Sequence, residues 1–284
     1  MGFIKYDIEK YSPKQLVIIP LVILVIALIL LALNMASTGM PVTPGIDFSG
    51  GTAVTVFSSD TRDQIQATFS EYPLIGISEG VNDGKFLKFS SMDDAKFKSL
   101  TSLITQKYPD AKIDQIGESF GKTLQYQALV ALLFSFIGMA IVIFLAFRTF
   151  VPAVAVILSA FADMVMTAAA MNIVGIPLSL GTVAALLMLI GYSVDSDILL
   201  TNRVLKRQGK LNEKLAGAFN TGITMTTTTL AATIALFLVS WFGSVQILME
   251  ISAVLLIGLV FDILNTWLTN AGILKWYAQK GGVK

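Results

Sequence analysis

The sequence predicts an α-helical membrane protein with six spans and one folded α+β domain outside the bilayer. Three observations predict it. Of 284 residues, 55% are hydrophobic and only 14% charged, and the mean hydropathy of +0.74 is too apolar for a soluble domain of this length. Six charge-poor apolar stretches each match the length of chain that crosses a bilayer. A single long polar segment separates the first stretch from the other five.

The first stretch, Leu16 to Leu33, reads LVIIPLVILVIALILLAL without a charge. At 1.5 Å per residue it spans about 30 Å of hydrocarbon. A cleaved leader is the rival reading, but the run exceeds an h-region and no clear small-x-small site follows it. The remaining stretches run from Tyr126 to Phe147, Val151 to Ile173, Leu178 to Thr201, Gly222 to Phe242 and Val245 to Leu268. Pro152 and Pro177 fall where the third and fourth spans open, positions at which a missing N–H costs a helix least.

Six spans place both termini on one side. Lys5, Lys10 and Lys14 precede the first span, Arg148 follows the second, Arg203, Lys206, Arg207, Lys210 and Lys214 follow the fourth, and Lys275, Lys280 and Lys284 close the chain. The connections around Gly175 and Gly243 carry no Lys or Arg. The positive-inside rule therefore predicts cytoplasmic termini and an extracytoplasmic polar segment in the cell membrane. The expected organisation is a cytoplasmic N-terminus over 1–15, a first helix over 16–36, an extracytoplasmic domain over 37–122, five further helices over 123–272 and a cytoplasmic C-terminus over 273–284.

Within the polar segment, Thr52 to Phe57 reads as a strand and Ser59 to Tyr72 as a helix with Ile65, Phe69 and Tyr72 on one face. Leu74 to Ser78 and Phe86 to Phe89 read as strands around an Asn82-Asp83-Gly84 turn. Ser91 with Asp94 resembles a capping box opening a helix to Lys107, and Lys112 to Ile116 is a last strand. The order is βαββαβ, the ferredoxin-like split βαβ arrangement. Such a domain leaves one sheet face open to another protein or a polypeptide in transit, although the fold alone assigns no function.

Composition narrows the chemistry. With no Cys and no His, thiolate nucleophiles, disulfides, imidazole bases and the usual zinc sets are excluded, so proton chemistry falls to Asp, Glu, Lys or Tyr. Twenty basic and 19 acidic residues give a net charge of +1, which points to no nucleic-acid partner. No cofactor, metal or enzymatic activity is expected.

Two motifs carry a family resemblance. Gly45-Ile46-Asp47-Phe48-Ser49-Gly50-Gly51-Thr52 looks like the GIDFxGGT signature of the SecD/SecF protein-export family. Its glycines permit unusual φ/ψ where the chain enters its first strand, a bulge or turn being the plain alternative; no Lys follows as a P-loop requires. Gly191-Tyr192-Ser193-Val194-Asp195-Ser196-Asp197, leading to Arg203, resembles the SecF-branch pattern GYSxND followed by a basic loop. One departure stands out: where the bacterial pattern has Asn-Asp, this chain has Asp195-Ser196, so Ser196 aligns with the family's functional aspartate. Asp195 or Asp197 must then substitute, or the role is absent. The shift suits an archaeal branch with separate SecD and SecF chains. The resemblance implies protein export in partnership with SecD, the Sec translocon, a translocating polypeptide and membrane lipid.

An ionised side chain at mid-bilayer costs on the order of 3 kcal/mol, which marks Asp163, Asp195, Asp197 and Asp262 as functional candidates. Asp195 and Asp197 lie roughly 200° apart on a helix, so they cannot share one face. Asp195 shares a stripe with Gly191 and is slightly favoured to face Asp163; Asp197 shares one with Ser193 and Thr201. Thr226, Thr229 and Thr233 form a hydroxyl stripe able to reach a buried carboxylate. The expected mechanism is a proton relay through Asp195 or Asp197 with Asp163, supported by Arg203, Thr226 and Thr229. The alternative is a structural role, hydrated or paired with Arg203. Asp262, with Asn265 and Thr266, reads as a polar patch at the inner end of the sixth span, and Glu250 as an outer-interface residue.

Three other functions compete. An intramembrane aspartyl protease would need Gly-x-Gly-Asp and Tyr-Asp pairs, which are absent. A stand-alone transporter half of the resistance-nodulation-division type would need a partner unit. A passive scaffold for SecD fits the shifted aspartate.

Overall fold

The computed structural model describes residues 10–282, so Lys5 and Lys284 lie outside the described residues. Helix α1 (Pro13–Thr38) opens on a reciprocal cap between Ser12 and Gln15 and closes at Gly39 in the left-handed region, φ 78°. A four-residue helix, α2 (Ile46–Ser49), then leads into the α+β domain.

The domain runs β1 (Gly51–Phe57), α3 (Arg62–Thr68), β2 (Leu74–Glu79), β3 (Gly84–Phe89), α4 (Asp94–Lys107) and β4 (Lys112–Ile116). Its sheet is antiparallel in the order β2-β3-β1-β4, the ferredoxin-like arrangement. Val54, Val56, Leu87 and Phe89 from the sheet meet Ile65, Phe69, Leu100 and Ile104 from the helices in one core. Helix α3 is shorter than the apolar spacing suggests. Thr61 and Gln64 cap it reciprocally, and Pro73 disfavours helical backbone at Tyr72. The cap of α4 is Asp93 rather than Ser91: its carboxylate accepts from Lys96 N at 2.7 Å.

The other five spans are α5 (Glu118–Phe147), α6 (Phe150–Val174), α7 (Leu180–Lys206), α8 (Leu211–Phe242) and a helix from Gln246 to Gly281. This last comprises α9 (Gln246–Leu264), a π-helical segment (Asn265–Asn270), α10 (Ala271–Tyr277) and a second π-helical turn. Several spans outrun their apolar stretches because helix continues past the hydrocarbon. In the first turn of α5, for example, Lys122 pairs with Glu118 at 2.7 Å. Pro177 lies just before α7, whose cap is Ser179 with Thr182. The chain is a multi-pass membrane protein. Its apolar windows on α6 and α7 are 56% buried against 11% on α5 and 17% on α8, so α6 and α7 form the centre of the bundle.

The α+β domain is tied to the bundle twice. Its first tie is the segment entering the domain, described below. The second is the tip of the β2–β3 turn, where Asn82 and Asp83 take left-handed backbone at φ 55° and 58°. Asn82 Nδ2 donates to Phe242 O at 3.1 Å and Ser244 Oγ donates to Val81 O at 2.8 Å. Lys88 lies 3.6 Å from Glu250 on α9.

Two outcomes follow from these contacts. A Cβ built at Gly84 lies 3.0 Å from that of Ser244, a small adjustment short of the roughly 3.5–4.5 Å a disulfide spans. Since the chain has no cysteine of its own, oxidation of the Gly84→Cys/Ser244→Cys pair gives an intramolecular crosslink, seen as a reductant-reversible gel shift. Within the domain, Tyr108 Oη donates to Asp60 at 2.6 Å and Lys107 lies 3.3 Å away, holding the Asp60 carboxyl below its ordinary value of 3.8. That stabilisation is complete above the unfolded value and is lost as pH falls through it toward the folded one. Hydrogen exchange across residues 51–116 therefore speeds up below about pH 4, and Asp60→Asn removes this acid sensitivity.

Candidate functional site

At the centre of the bundle, three helices each contribute one buried carboxyl: Asp163 from α6, Asp197 from α7 and Asp262 from α9. Asp163 accepts from Ser193 Oγ at 2.5 Å and from Asn265 Nδ2 at 2.7 Å. Asp197 Oδ1 accepts from Asn270 Nδ2 at 2.8 Å and Thr266 Oγ1 at 3.0 Å. Thr266 Oγ1 also lies 3.1 Å from Asp262 Oδ1. Its single proton serves one of these two carboxylates at a time, so Asp197 and Asp262 compete for it. Among the described residues, no Lys or Arg forms a salt bridge with any of the three.

The π-helical segment explains how one helix serves two others. Its i→i+5 winding stacks residues five apart, bringing together Asn265, which reaches α6, and Asn270, which reaches α7. Thr269 Oγ1 donates to Asn265 Oδ1 at 3.2 Å, turning the amide so that its N–H faces Asp163. The segment is braced from behind by Trp267, edge-on to Phe219 at 5.1 Å and pressed against Gly222, where any Cβ would collide with the indole.

The residues marked in the sequence separate into distinct places. Asp197 and Ser193 join the cluster with Asp163, whereas Asp195 and Gly191 are exposed on another face of α7. Asp195 lines a cavity of about 640 Å³ with Ile198, Leu199, Asn202, Lys206, Arg207 and others. The slight preference for Asp195 beside Asp163 is thus corrected: the stripe shared with Gly191 faces away, and no neighbour lies within 4 Å of a Cβ built at Gly191. Tyr192 is exposed too. Arg203 holds the start of α8, donating to Gly217 O at 2.6 Å and to Thr221 at 2.7 Å. Thr226 and Thr229 donate to their own helix, at Gly222 O and Met225 O, instead of reaching a carboxylate. Asp262 is no interfacial patch but the third member of the cluster. Its repeat with Asn265, Thr266, Thr269 and Asn270 follows the i, i+3, i+4 helical spacing and was the available signal.

The GIDFSGGT segment forms the first tie. Gly45 N donates to Leu178 O at 2.7 Å, and Asp47 accepts from Leu180 N at 2.8 Å, capping α7 with a negative charge. Phe48 is 2% exposed and belongs to the apolar cluster to which α5, α6, α7 and α9 all contribute. Gly50 (φ 75°) and Gly51 (φ 140°) then turn the chain into β1, where a Cβ on Gly51 would strike Phe89 O.

These features define a membrane protein with an acid-bearing helical core and a ferredoxin-like domain fastened to its rim. The family model described as protein export membrane protein SecD/SecF, C-terminal, matches residues 96–280. The chain belongs to this SecD/SecF protein-export family. It is 60% identical over 99% of its length to the whole of the protein-export membrane protein SecF of Methanolacinia petrolearia. It is 41% identical over 97% of its length to 96% of the Haloferax volcanii protein of the same name. The crystal structure of SecDF, a translocon-associated membrane protein from Thermus thermophilus, shares the fold at a TM-score of 0.73 and 21% identity, over 94% of this chain. This chain spans 38% of that one.

Thr266→Val removes the hydroxyl shared by Asp197 and Asp262. Thermal unfolding of the purified protein is expected to show a loss of about 1–3 kcal/mol, the cost of an unmade buried hydrogen bond.

Proposed function

We propose that the chain works with SecD in Sec-dependent export, and that an ion gradient acting on Asp163, Asp197 and Asp262 drives movement of the α+β domain. The termini lie in the cytoplasm and the domain over 37–122 outside, where it meets the translocating polypeptide. The single observation carrying the reading is the cluster itself: three buried carboxyls with hydroxyl and amide partners and, among the described residues, no Lys or Arg in a salt bridge with them. Three full negative charges at that depth are prohibitive, so protons or cations must occupy the cluster, and their number sets which hydrogen bonds form. Movement of one charge through the potential supplies about 2.3 kcal/mol per 100 mV.

The route outward runs through the last span. Helix α9 carries Asp262 near one end and Glu250 near the other, and Glu250 pairs with Lys88 in the domain. A shift of α9 on loading of the cluster therefore pulls on the β2–β3 edge.

The test is export of a secreted reporter from cells whose own copy is replaced. Asp163→Asn, Asp197→Asn and Asp262→Asn each bring export down to the level of cells lacking the chain, while Thr229→Val leaves it intact. Full export in the triple Asn variant leaves the scaffold reading in place instead. Co-purification of SecD separates both from a stand-alone transporter half.

A further inference from the structure

Where α7 hands over to α8, cations gather with no acid to balance them. Arg203 Nη1 and Nη2 donate to Gly217 O at 2.6 Å and Thr221 Oγ1 at 2.7 Å, neutral oxygens that orient the guanidinium but leave its charge uncancelled. Arg203 Nη1 and Arg207 Nη1 lie 3.2 and 3.8 Å from a Cβ built at Gly217, so the two guanidinium groups converge on one spot of α8. Lys206 lines the same cavity as both, and it is exposed, as is Arg207. Among the described residues, none of the three cations forms a salt bridge.

The cavity they line, of about 640 Å³, is amphipathic along its length. Arg203, Lys206 and Arg207 hold the end at the C-terminus of α7, while Ile198, Leu199 and Met225 line the stretch deeper in the bundle. Helix α7 starts at Leu180, beside the entrance to the α+β domain, and about 20 residues cross the hydrocarbon. The far boundary therefore falls near Leu200, which puts the three cations at headgroup depth and the apolar residues against the acyl chains. Asn202, between the two, has a buried Oδ1 without a partner among the described residues. Asp195, the acid in the lining, lies about 16 Å along the helix from Lys206 at 1.5 Å per residue, too deep to neutralise the basic end.

We infer that this cavity seats an anionic phospholipid, with its phosphate on Arg203, Lys206 and Arg207 and an acyl chain along Ile198, Leu199 and Met225. The chemistry selects the class. Guanidinium forks match phosphate oxygens, and Arg203 spends only two of its five donors on α8. A basic pocket between spans at the headgroup level is a recurrent seat for anionic lipid. A free anion would leave the apolar stretch unfilled, whereas a lipid covers both ends, and a headgroup hydroxyl can donate to Asn202 Oδ1. The site is on the face of α7 away from the acid cluster and stands whether or not those acids carry an ion.

Native mass spectrometry of the purified full-length chain, titrated in detergent with phosphatidylglycerol, tests it. One saturable adduct per chain is expected, resistant to excess phosphatidylcholine and to inorganic phosphate. Lys206→Gln/Arg207→Gln weakens it about tenfold or more. Arg148→Gln/Lys280→Gln, which removes two exposed cations outside the cavity, leaves it unchanged. Met225→Trp, which fills the apolar stretch, weakens it with every charge in place, and size-exclusion profiles show that each variant is folded. Absence of a saturable adduct, equal loss in the two double variants, or displacement by phosphatidylcholine overturns the site and leaves only general solvation by lipid. Displacement by inorganic phosphate overturns it in favour of a free anion. Loss of the adduct from chain co-purified with SecD overturns it by giving the cavity to that partner.

Discussion

Everything in the bundle is arranged around the problem of keeping three carboxyl groups in hydrocarbon. Asp163, Asp197 and Asp262 come from three different helices, and Asp163 and Asp197 take their partners from helices other than their own. Ser193 on α7 serves Asp163 on α6, Asn265 serves the same acid from the last span, and Asn270 and Thr266 serve Asp197. The cross-helix pairing fixes which helices are central, because a helix end lost from this network leaves a charge or dipole bare in a medium without water. It accounts for the deep burial of α6 and α7 and for the largely lipid-facing surfaces of α5 and α8, which bear no member of the cluster.

Much of the architecture was legible in the sequence because its physics is local. An uncharged run such as Leu16 to Leu33 admits few readings, and the strand and turn pattern from Thr52 to Ile116 encodes its own order. The segment Gly45 to Thr52 was recognisable as a motif, although its purpose was not. Asp47 caps a helix that begins more than 130 residues later, a contact no local pattern reveals. The candidate site was half legible. Asp163 and Asp197 stood out as intramembrane acids, but choosing between Asp195 and Asp197 needed the rotation of α7 against its neighbours, which sequence spacing leaves free. Asp262 was set aside because polar residues near a span's end usually belong to the interface. The π-helical segment that carries Asn265 and Asn270 packs through Trp267 against Gly222 of α8, a tertiary contact that no local pattern reveals.

The family motif and the cluster solve different problems and meet through α7. One end of that helix receives the charge of Asp47, and its middle and far half carry Ser193, Asp197 and Arg203. Those residues connect the domain's entrance, the acid centre and the start of α8 along a single rod about 40 Å long at 1.5 Å per residue. Position along α7 thus orders the functional elements of the molecule.

The double fastening of the α+β domain has a geometric consequence. A rigid body held at one point can swing in any direction; held at two, it keeps a single rotation about the line that joins them. Here the two pivots are the Gly45–Gly51 entrance and the β2–β3 tip against Ser244, so the domain is hung like a door. Lys88, in register with Ala53 near the first pivot, reaches Glu250 on α9, so the last span acts on the sheet between the two pivots and any rotation it imparts is largest at the face farthest from that line.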